Sequence, residues 1–134
     1  MRLAQEADLA ALVAVMSGTP WEKTEYLKRQ VRSGNVVVAE DAGTVAGLIV
    51  WNREFFALPF IWLVAVLPAY RRHGIAGTLF AFVETACEGG RLYTSTNRSH
   101  LVMHNFLQRR GYQRAGEVDL DPGDPEVFYY LTRA

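Results

Sequence analysis

The sequence predicts a mixed α/β layer fold, an α+β arrangement of six to seven strands flanked by four helices in one domain spanning residues 1–134. Three observations carry this. The hydrophobic period alternates along the chain between helical and strand spacing, in the order β-α-α-β-β-β-α-β-α-β-β. The chain is 134 residues long and 50% apolar, the size and composition of one globular domain; such a domain buries roughly 68% of its unfolded surface and needs no staples. Between Val64 and Val83 an apolar strand runs through a short basic turn and a glycine into a helix.

Taken in order, Arg2–Ala4 reads as a short first strand. Asp8 stands where a cap would precede a helix with Leu9, Leu12, Val13 and Met16 on one face, stopped by Gly18. Thr19-Pro20-Trp21-Glu22 is a helix start, with threonine at the cap, proline at the first helical position and glutamate closing a capping box. That helix carries Thr24, Leu27, Lys28 and Val31 on one side and ends near Ser33-Gly34. Residues 35–40 and 44–51 are β-branched runs around Asp41-Ala42-Gly43, a hairpin signal. Residues 52–59 read as a loop or strand lead-in. Phe60–Val66 is continuously apolar, a central strand covered on both faces. Ile75–Cys87 is a helix with Ile75, Leu79, Phe82, Val83 and Ala86 inward, ended by Gly89-Gly90. A strand at Arg91–Ser95, a helix at Leu101–Arg110 stopped by Gly111, and strands at Tyr112–Val118 and Val127–Thr132 complete the chain.

Charge and cysteine usage narrow the function. Lys+Arg and Asp+Glu are both 14, so bulk electrostatics do not favour nucleic acid. The single cysteine, Cys87, excludes a disulfide framework and points to a reduced, cytoplasmic setting. Residues 1–6 turn acidic too early for a signal peptide. The longest apolar run, 55–70, holds two prolines and falls short of the ~18 residues of a membrane span. No metal-ligating spacing is present, and no metal is expected.

The strand-turn-helix at 64–83 is suited to an anion. The first amides of a helix have no intrahelical acceptor and carry the positive end of its dipole. Gly74 lets the backbone approach a ligand, Ala76 and Gly77 keep the first turn thin, and Arg71, Arg72 and His73 add donors. A P-loop would need Gly-Lys-Ser/Thr, and a dinucleotide fingerprint two further glycines; neither is present. The bland alternative is a strand-loop-helix with glycine for packing.

Val66-x-Pro68-x-Tyr70-Arg71-Arg72-x-Gly74-Ile75-Ala76 resembles the acetyl-CoA motif of the GNAT acyltransferase superfamily, Arg/Gln-x-x-Gly-x-Gly/Ala preceded by Val-x-Pro. Element order and length match that family over nearly the whole chain. The resemblance implies the acyl-CoA N-acyltransferase fold, with a mixed, mostly antiparallel central sheet. It implies acetyl-CoA as cosubstrate, the pyrophosphate on the backbone amides of the loop, and the pantetheine arm paired with the strand backbone at Val64, Ala65 and Val66. The full cofactor-binding set is then Val64, Ala65, Val66, Arg71, Arg72, His73, Gly74, Ile75, Ala76, Gly77, Thr78 and His100. The family's second motif, Asn-x-x-Ala-x-x-x-Tyr-x-x-x-Gly-Phe, matches at its end as Gly111-Tyr112, but puts His100, Met103 and Leu107 at the asparagine, alanine and tyrosine positions. Asn97 lies three residues too early unless the loop carries an insertion. The family tyrosine is often the acid that protonates the departing thiolate, and Leu107 cannot do that.

Transfer to an amine requires a proton to leave near pH 7. The strand 60–66 carries no carboxylate. Glu54, just before it, is the nearest base, acting through water, or else an ordinary surface turn residue. His104, one turn before Leu107, stands in for the missing tyrosine or caps a packed face. His100 is a helix cap and pantetheine contact. The five acids among residues 117–126 attract a cationic substrate or form a solvated loop around Pro122-Gly123. Trp21, Trp51, Phe55, Phe56 and Trp62 wall an acceptor pocket or belong to the core. Phe128-Tyr129-Tyr130 offers a homodimer contact, and Cys87 reads as a small packed residue.

These readings converge on an N-acetyltransferase that moves acetyl from acetyl-CoA to the amine of a small molecule or peptide, with neither nucleic acid nor membrane as partner. Against it stand a non-catalytic acyl-CoA-binding module and a protein-interaction domain.

Overall fold

The computed structural model describes residues 1–17 and 24–133. The predicted helix start at Thr19–Glu22 and Trp21 as a pocket wall lie outside the described residues. The elements are β1 (Arg2–Leu3), α1 (Leu9–Met16), α2 (Thr24–Arg32), β2 (Val36–Asp41), β3 (Thr44–Phe55), β4 (Leu58–Val66), α3 (Ile75–Ala86), β5 (Gly90–Asn97), α4 (Leu101–Arg109), β6 (Gln113–Val118) and β7 (Glu126–Arg133). The sheet has seven strands in the order β1-β2-β3-β4-β5-β7-β6. Parallel pairing joins β4 to β5, while β1–β2, β2–β3, β5–β7 and β6–β7 pair antiparallel. Four helices on a mixed, mostly antiparallel sheet are what the sequence predicted. Among the described residues, no helix is long and apolar enough to cross a membrane.

The chain divides into two compact units, Met1–Trp51 with Leu63–Thr85, and Asn52–Trp62 with Ala86–Ala134. In the first, Leu12, Val15 and Met16 of α1 and Leu27 and Val31 of α2 pack on Val36, Val38, Leu48 and Val50. These strand residues share one face by alternation, and Val37, Gly47 and Ile49 point to the other. There α3 is seated. A β-carbon on Gly47 would lie 3.0 Å from the Ala65 carbonyl oxygen and 3.1 Å from Cγ2 of Ile75, the first residue of α3. Absence of a side chain at 47 therefore lets the helix start close to the sheet.

That seat also sets the rotation of α3 and corrects the sequence reading. The helix buries Leu79, Phe80 and Val83, with Cys87 just beyond it, whereas Phe82 is 40% exposed and Ala86 is exposed. The helix is apolar on neighbouring stripes, so periodicity alone does not choose between them; the row Ile75, Leu79, Val83, Cys87 follows once Ile75 is fixed. Burial pushes the Cys87 thiol up, in keeping with a packed residue.

In the second unit β5 and β7 pair over eight residues each, from Gly90↔Arg133 to Asn97↔Glu126. Leu92, Thr94 and Thr96 of β5, Val127 and Tyr129 of β7, and Leu107 of α4 are buried. Strand β6 is exposed along its whole length and its register against β7 shifts between Arg114 and Gly116, a bulge.

Three further expectations are corrected. Residues 52–55 extend β3, and β4 starts at Leu58, so 52–59 is a tight hairpin. Its turn residues Phe56 and Ala57 have φ of 52° and 61°, a turn hidden from sequence because glycine and asparagine are absent. Strand β4 is buried at Pro59–Ile61 only; Trp62 is 42% exposed and Leu63–Val66 are half-buried. Asp8 does not cap α1. It closes a 3-10 turn at Glu6–Asp8, taking the Gln5 amide at 2.7 Å, and both its oxygens take the Arg2 guanidinium, at 2.7 and 2.9 Å.

Two outcomes follow. Gly47→Val is expected to destabilise the protein by about 1–3 kcal/mol through overpacking against Ile75, read as a lower midpoint in denaturant. Arg2 holds the Asp8 carboxyl down at about 2. The unfolded chain, with the ordinary value of about 3.9, takes up its proton first, so stability present above about pH 4 is lost as pH falls towards 2. Asp8→Asn is expected to flatten that part of a stability–pH curve.

Candidate functional site

Strand β4 ends at Val66, and Leu67 is tied to β3 by a 2.8 Å bond from its amide to the Ala46 carbonyl. Pro68–Tyr70 forms a single 3-10 turn with proline at its head. The chain then reverses through Arg72, at φ 67°, and Gly74, at φ 76°, before α3 begins. Two left-handed residues two positions apart bend the backbone sharply just ahead of the helix start. For Arg72 this conformation costs roughly 1–2 kcal/mol, which glycine at 74 avoids. Arg71, Arg72, His73 and Gly74 are exposed, and Ile75, Ala76 and Gly77 half-buried. A β-carbon on Gly74 would meet nothing within 4 Å, so the space in front of the loop is open.

The first carbonyl of the helix is that of Gly74, which accepts the Thr78 amide at 3.0 Å and the Thr78 hydroxyl at 2.9 Å. The amides of Ile75, Ala76 and Gly77 therefore precede the first intrahelical bond and are available to a ligand. The Thr78 hydroxyl proton is spent inside the helix. His73 lies edge-on to Tyr70 at 6.2 Å, and the Arg71 guanidinium rests on the Val66 carbonyl at 3.4 Å, a long bond easily exchanged. A hollow of about 260 Å³ beside the loop is lined by Ala39, Glu40, Asp41, Ala46, Tyr70, His73 and Ile75. Its two carboxylates repel a polyphosphate, so the receptive side of the loop is the side of the amides. These residues fit a pyrophosphate: donors without partners, a dipole of the right sign and no side chain in the way.

The proton-transfer candidates lie in the second unit. Glu54 is exposed, near the end of β3. Its Oε2 accepts from Asn52 Nδ2 at 3.1 Å and its amide donates to Asn52 Oδ1 at 3.0 Å; the same oxygen accepts the Trp62 indole N–H at 2.6 Å. His104 bonds through both ring nitrogens. Nε2 lies 3.0 Å from the Asn97 carbonyl, which can only accept, so Nε2 carries the hydrogen; Nδ1, 2.6 Å from the Tyr129 hydroxyl, accepts from it. Tyr129 is 2% exposed and Leu107 is fully buried. His104 is thus held between a carbonyl and a phenol.

His100 occupies the cap position of α4, its carbonyl taking the Met103 amide at 3.1 Å, and its Nδ1 lies 3.3 Å from the Thr96 hydroxyl. Its side chain makes no capping bond. The acidic stretch is partly tied down. Glu117 pairs with Arg98 at 3.0 Å and Arg114 at 3.1 Å, Asp124 takes the Ser99 amide and hydroxyl at 2.9 and 2.7 Å, and Glu126 takes the Ser95 hydroxyl at 2.7 Å. These bonds hold the Glu117 and Asp124 carboxyls below their usual range. Sequence reasoning missed Asn52 and Tyr129; neither stands in a motif, and Tyr129 meets His104 across 25 positions. Among the described residues, no group of three or more His, Cys, Asp and Glu could hold a metal ion.

A family model described as the acetyltransferase (GNAT) family matches residues 3–112. No curated protein matches the chain by sequence. Among solved structures, an acetyltransferase of the GNAT family from Bacillus cereus ATCC 10987 is 27% identical, with 98% of this chain and 94% of that one covered and a TM-score of 0.89. Naa20 of Chaetomium thermophilum, solved with a bisubstrate analogue, is 19% identical over 98% of this chain and 85% of that one, with a TM-score of 0.83. The ribosomal-protein-S18-alanine N-acetyltransferase of Escherichia coli is 15% identical over 98% and 91%, with a TM-score of 0.79. The last two likenesses concern the fold alone.

Tyr129→Phe removes the donor to the part-buried Nδ1 of His104. It is expected to cost about 0.5–1.5 kcal/mol of unfolding free energy, measured by denaturant titration, the net worth of one hydrogen bond.

Proposed function

This chain belongs to the acetyltransferase (GNAT) family, and we propose that it is an N-acetyltransferase that moves the acetyl group of acetyl-CoA to a primary amine by direct attack. Acyl transfer is the chemistry of the family; the acetyl donor and the amine acceptor are our reading. The observation that carries it is the loop at 71–77, where Arg72 and Gly74 are both left-handed ahead of the open amides of Ile75–Gly77.

Acetyl-CoA supplies an activated acyl thioester. The loop amides, with Arg71, Arg72 and His73 nearby, bind its pyrophosphate. At roughly 1.5–3 kcal/mol for each charge-assisted bond, three or four suffice for micromolar affinity. The backbone at Val64–Val66 pairs with the pantetheine arm, and the 3.4 Å contact from Arg71 to the Val66 carbonyl yields at little cost. The amine nitrogen forms a bond to the acetyl carbon as the carbon–sulfur bond breaks; the nitrogen loses a proton and the thiolate gains one. Positioning supplies most of the acceleration. Glu54, oriented by Asn52, receives the amine proton through water. The thiolate is a tolerable leaving group, so a dedicated acid is unnecessary, and both nitrogens of His104 are already engaged. In this reading His104 orients Tyr129 rather than delivering a proton. The acceptor is a small-molecule or peptide amine, residues 1–134 act as one domain, and the setting is cytoplasmic, in keeping with a single buried thiol.

One observation favours a second reading, a non-catalytic acyl-CoA-binding module: Leu107, at the position of the family tyrosine, is fully buried. Thiol titration with acetyl-CoA and a panel of amines separates the two. Release with at least one amine is expected. Saturating CoA is expected to raise the melting temperature, and Gly74→Val to weaken CoA binding about tenfold or more, by straining the loop and filling the ligand's approach. Tight binding with no release on any amine establishes the module instead, and absence of a CoA-dependent shift removes both.

A further inference from the structure

Phe55 is the centre of an aromatic face on the second unit. Its ring stacks on Phe128 at 5.6 Å and 19°, and meets Phe60, Tyr93 and Trp62 at 4.6, 5.7 and 6.4 Å. Tyr93 pairs with Tyr130, and Ser95 with Phe128, so alternation puts these four on one side of the sheet and Thr94 and Tyr129 on the other. Phe60 is covered at 2% exposure, but Trp62 is 42% exposed and Phe56, edge-on to Phe55 at 5.1 Å, is 85% exposed on its strained turn. Keeping a large ring in the left-handed region at a solvent-exposed tip is a cost that packing does not recover.

Two observations say what covers this face. First, it already holds a cation: the Arg91 guanidinium lies 3.8 Å over the centre of the Tyr130 ring. Second, it is edged by carboxylate. Glu126 follows the same alternation as Phe128, and Glu54 is fixed rather than free. Asn52, only 7% exposed, holds Glu54 Oε2 with its amide nitrogen and anchors its own oxygen on the indole N–H of Trp62. The ring that forms the face thus also orients the carboxylate beside it and leaves Glu54 Oε1 open to a ligand.

We propose that this face binds a primary ammonium carrying a ring-sized apolar body, the ammonium on Glu54 and the body across Phe55, Trp62 and Phe128. As a statement about the acetyl acceptor it rests on the transfer reading above and narrows the amine to this class. Asn52 is a positioning residue. A compact ammonium leaves the rings wet, and a neutral ring compound leaves Glu54 without a partner.

The test is calorimetric titration of the full, CoA-loaded protein with 2-phenylethylamine, ethylamine and 2-phenylethanol. 2-Phenylethylamine is expected to bind about tenfold or more tightly than either. Glu54→Gln should erase its advantage over the alcohol, and Trp62→Leu its advantage over ethylamine. Trp62→Phe, which keeps a ring but loses the bond to Asn52, should preserve ring selectivity and reduce charge selectivity, whatever becomes of the leucine variant's folding. Equal affinities for the two amines, or preferences unchanged in these variants, overturn the proposal. Tetrapeptide amides beginning with Phe and with Gly tell whether the ring-bearing amine comes from a peptide or a small molecule. Ring-selective binding without thiol release leaves this site standing and removes the transfer reading. Thiol release at equal kcat/KM for both amines does the reverse.

Discussion

The contact between Ile75 and the bare backbone of Gly47 governs the first unit. A helix begins this close to a strand most easily where the strand presents no side chain, and a β-carbon at 47 would crowd both Ile75 and the Ala65 carbonyl. Once Ile75 is seated, the start of α3 is fixed, and with it the direction of the amides that precede the first intrahelical bond. The chain covers the step from the end of β4 to that seat with residues 67–74. It reverses within Arg71–Gly74 by adopting two left-handed residues, one of them an arginine. The anion-receiving geometry is a consequence of packing on the far side of the helix.

Much of this was legible in the sequence because its signals are local. Glycine after helix ends, a strand leading to Pro68, and a thin first turn of α3 each follow from the chemistry of one or two residues, and the element order followed from them. What was not legible depends on partners distant in the chain. Asp8 has the side chain of a cap, but Arg2 and the Gln5 amide claim its carboxylate. His104 looked like a free imidazole one turn from Leu107, and Tyr129 claims it from another strand. Phe56-Ala57 lacks every usual turn residue, so a hairpin built on it reads as irregular chain. The rotation of α3 could not be chosen while two apolar stripes competed.

A difference runs between the two sets of candidate groups. The loop residues at 71–77 are open and carry donors that precede any intrahelical bond. The groups of the second unit are tied to one another, Trp62 to Asn52 to Glu54 and Asn97 to His104 to Tyr129. The first arrangement suits a ligand that brings its own charge and shaping. The second suits groups whose orientation has been settled before anything arrives, at the expense of their freedom to swing.

The bulge in β6 bears on how the molecule behaves in a crowded solution. With 14 basic and 14 acidic residues, copies of the chain gain no long-range repulsion from net charge, so nothing keeps them apart at a distance. Encounter is then frequent, and the strand edges decide whether it ends in adhesion. One edge of the sheet, β1, is two residues long, too short to template another strand. The other, β6, is interrupted by its register shift at Arg114–Gly116 and carries Arg114 and Glu117, paired to each other, along its rim. Colloidal stability in this protein is therefore a property of its edges rather than of its charge.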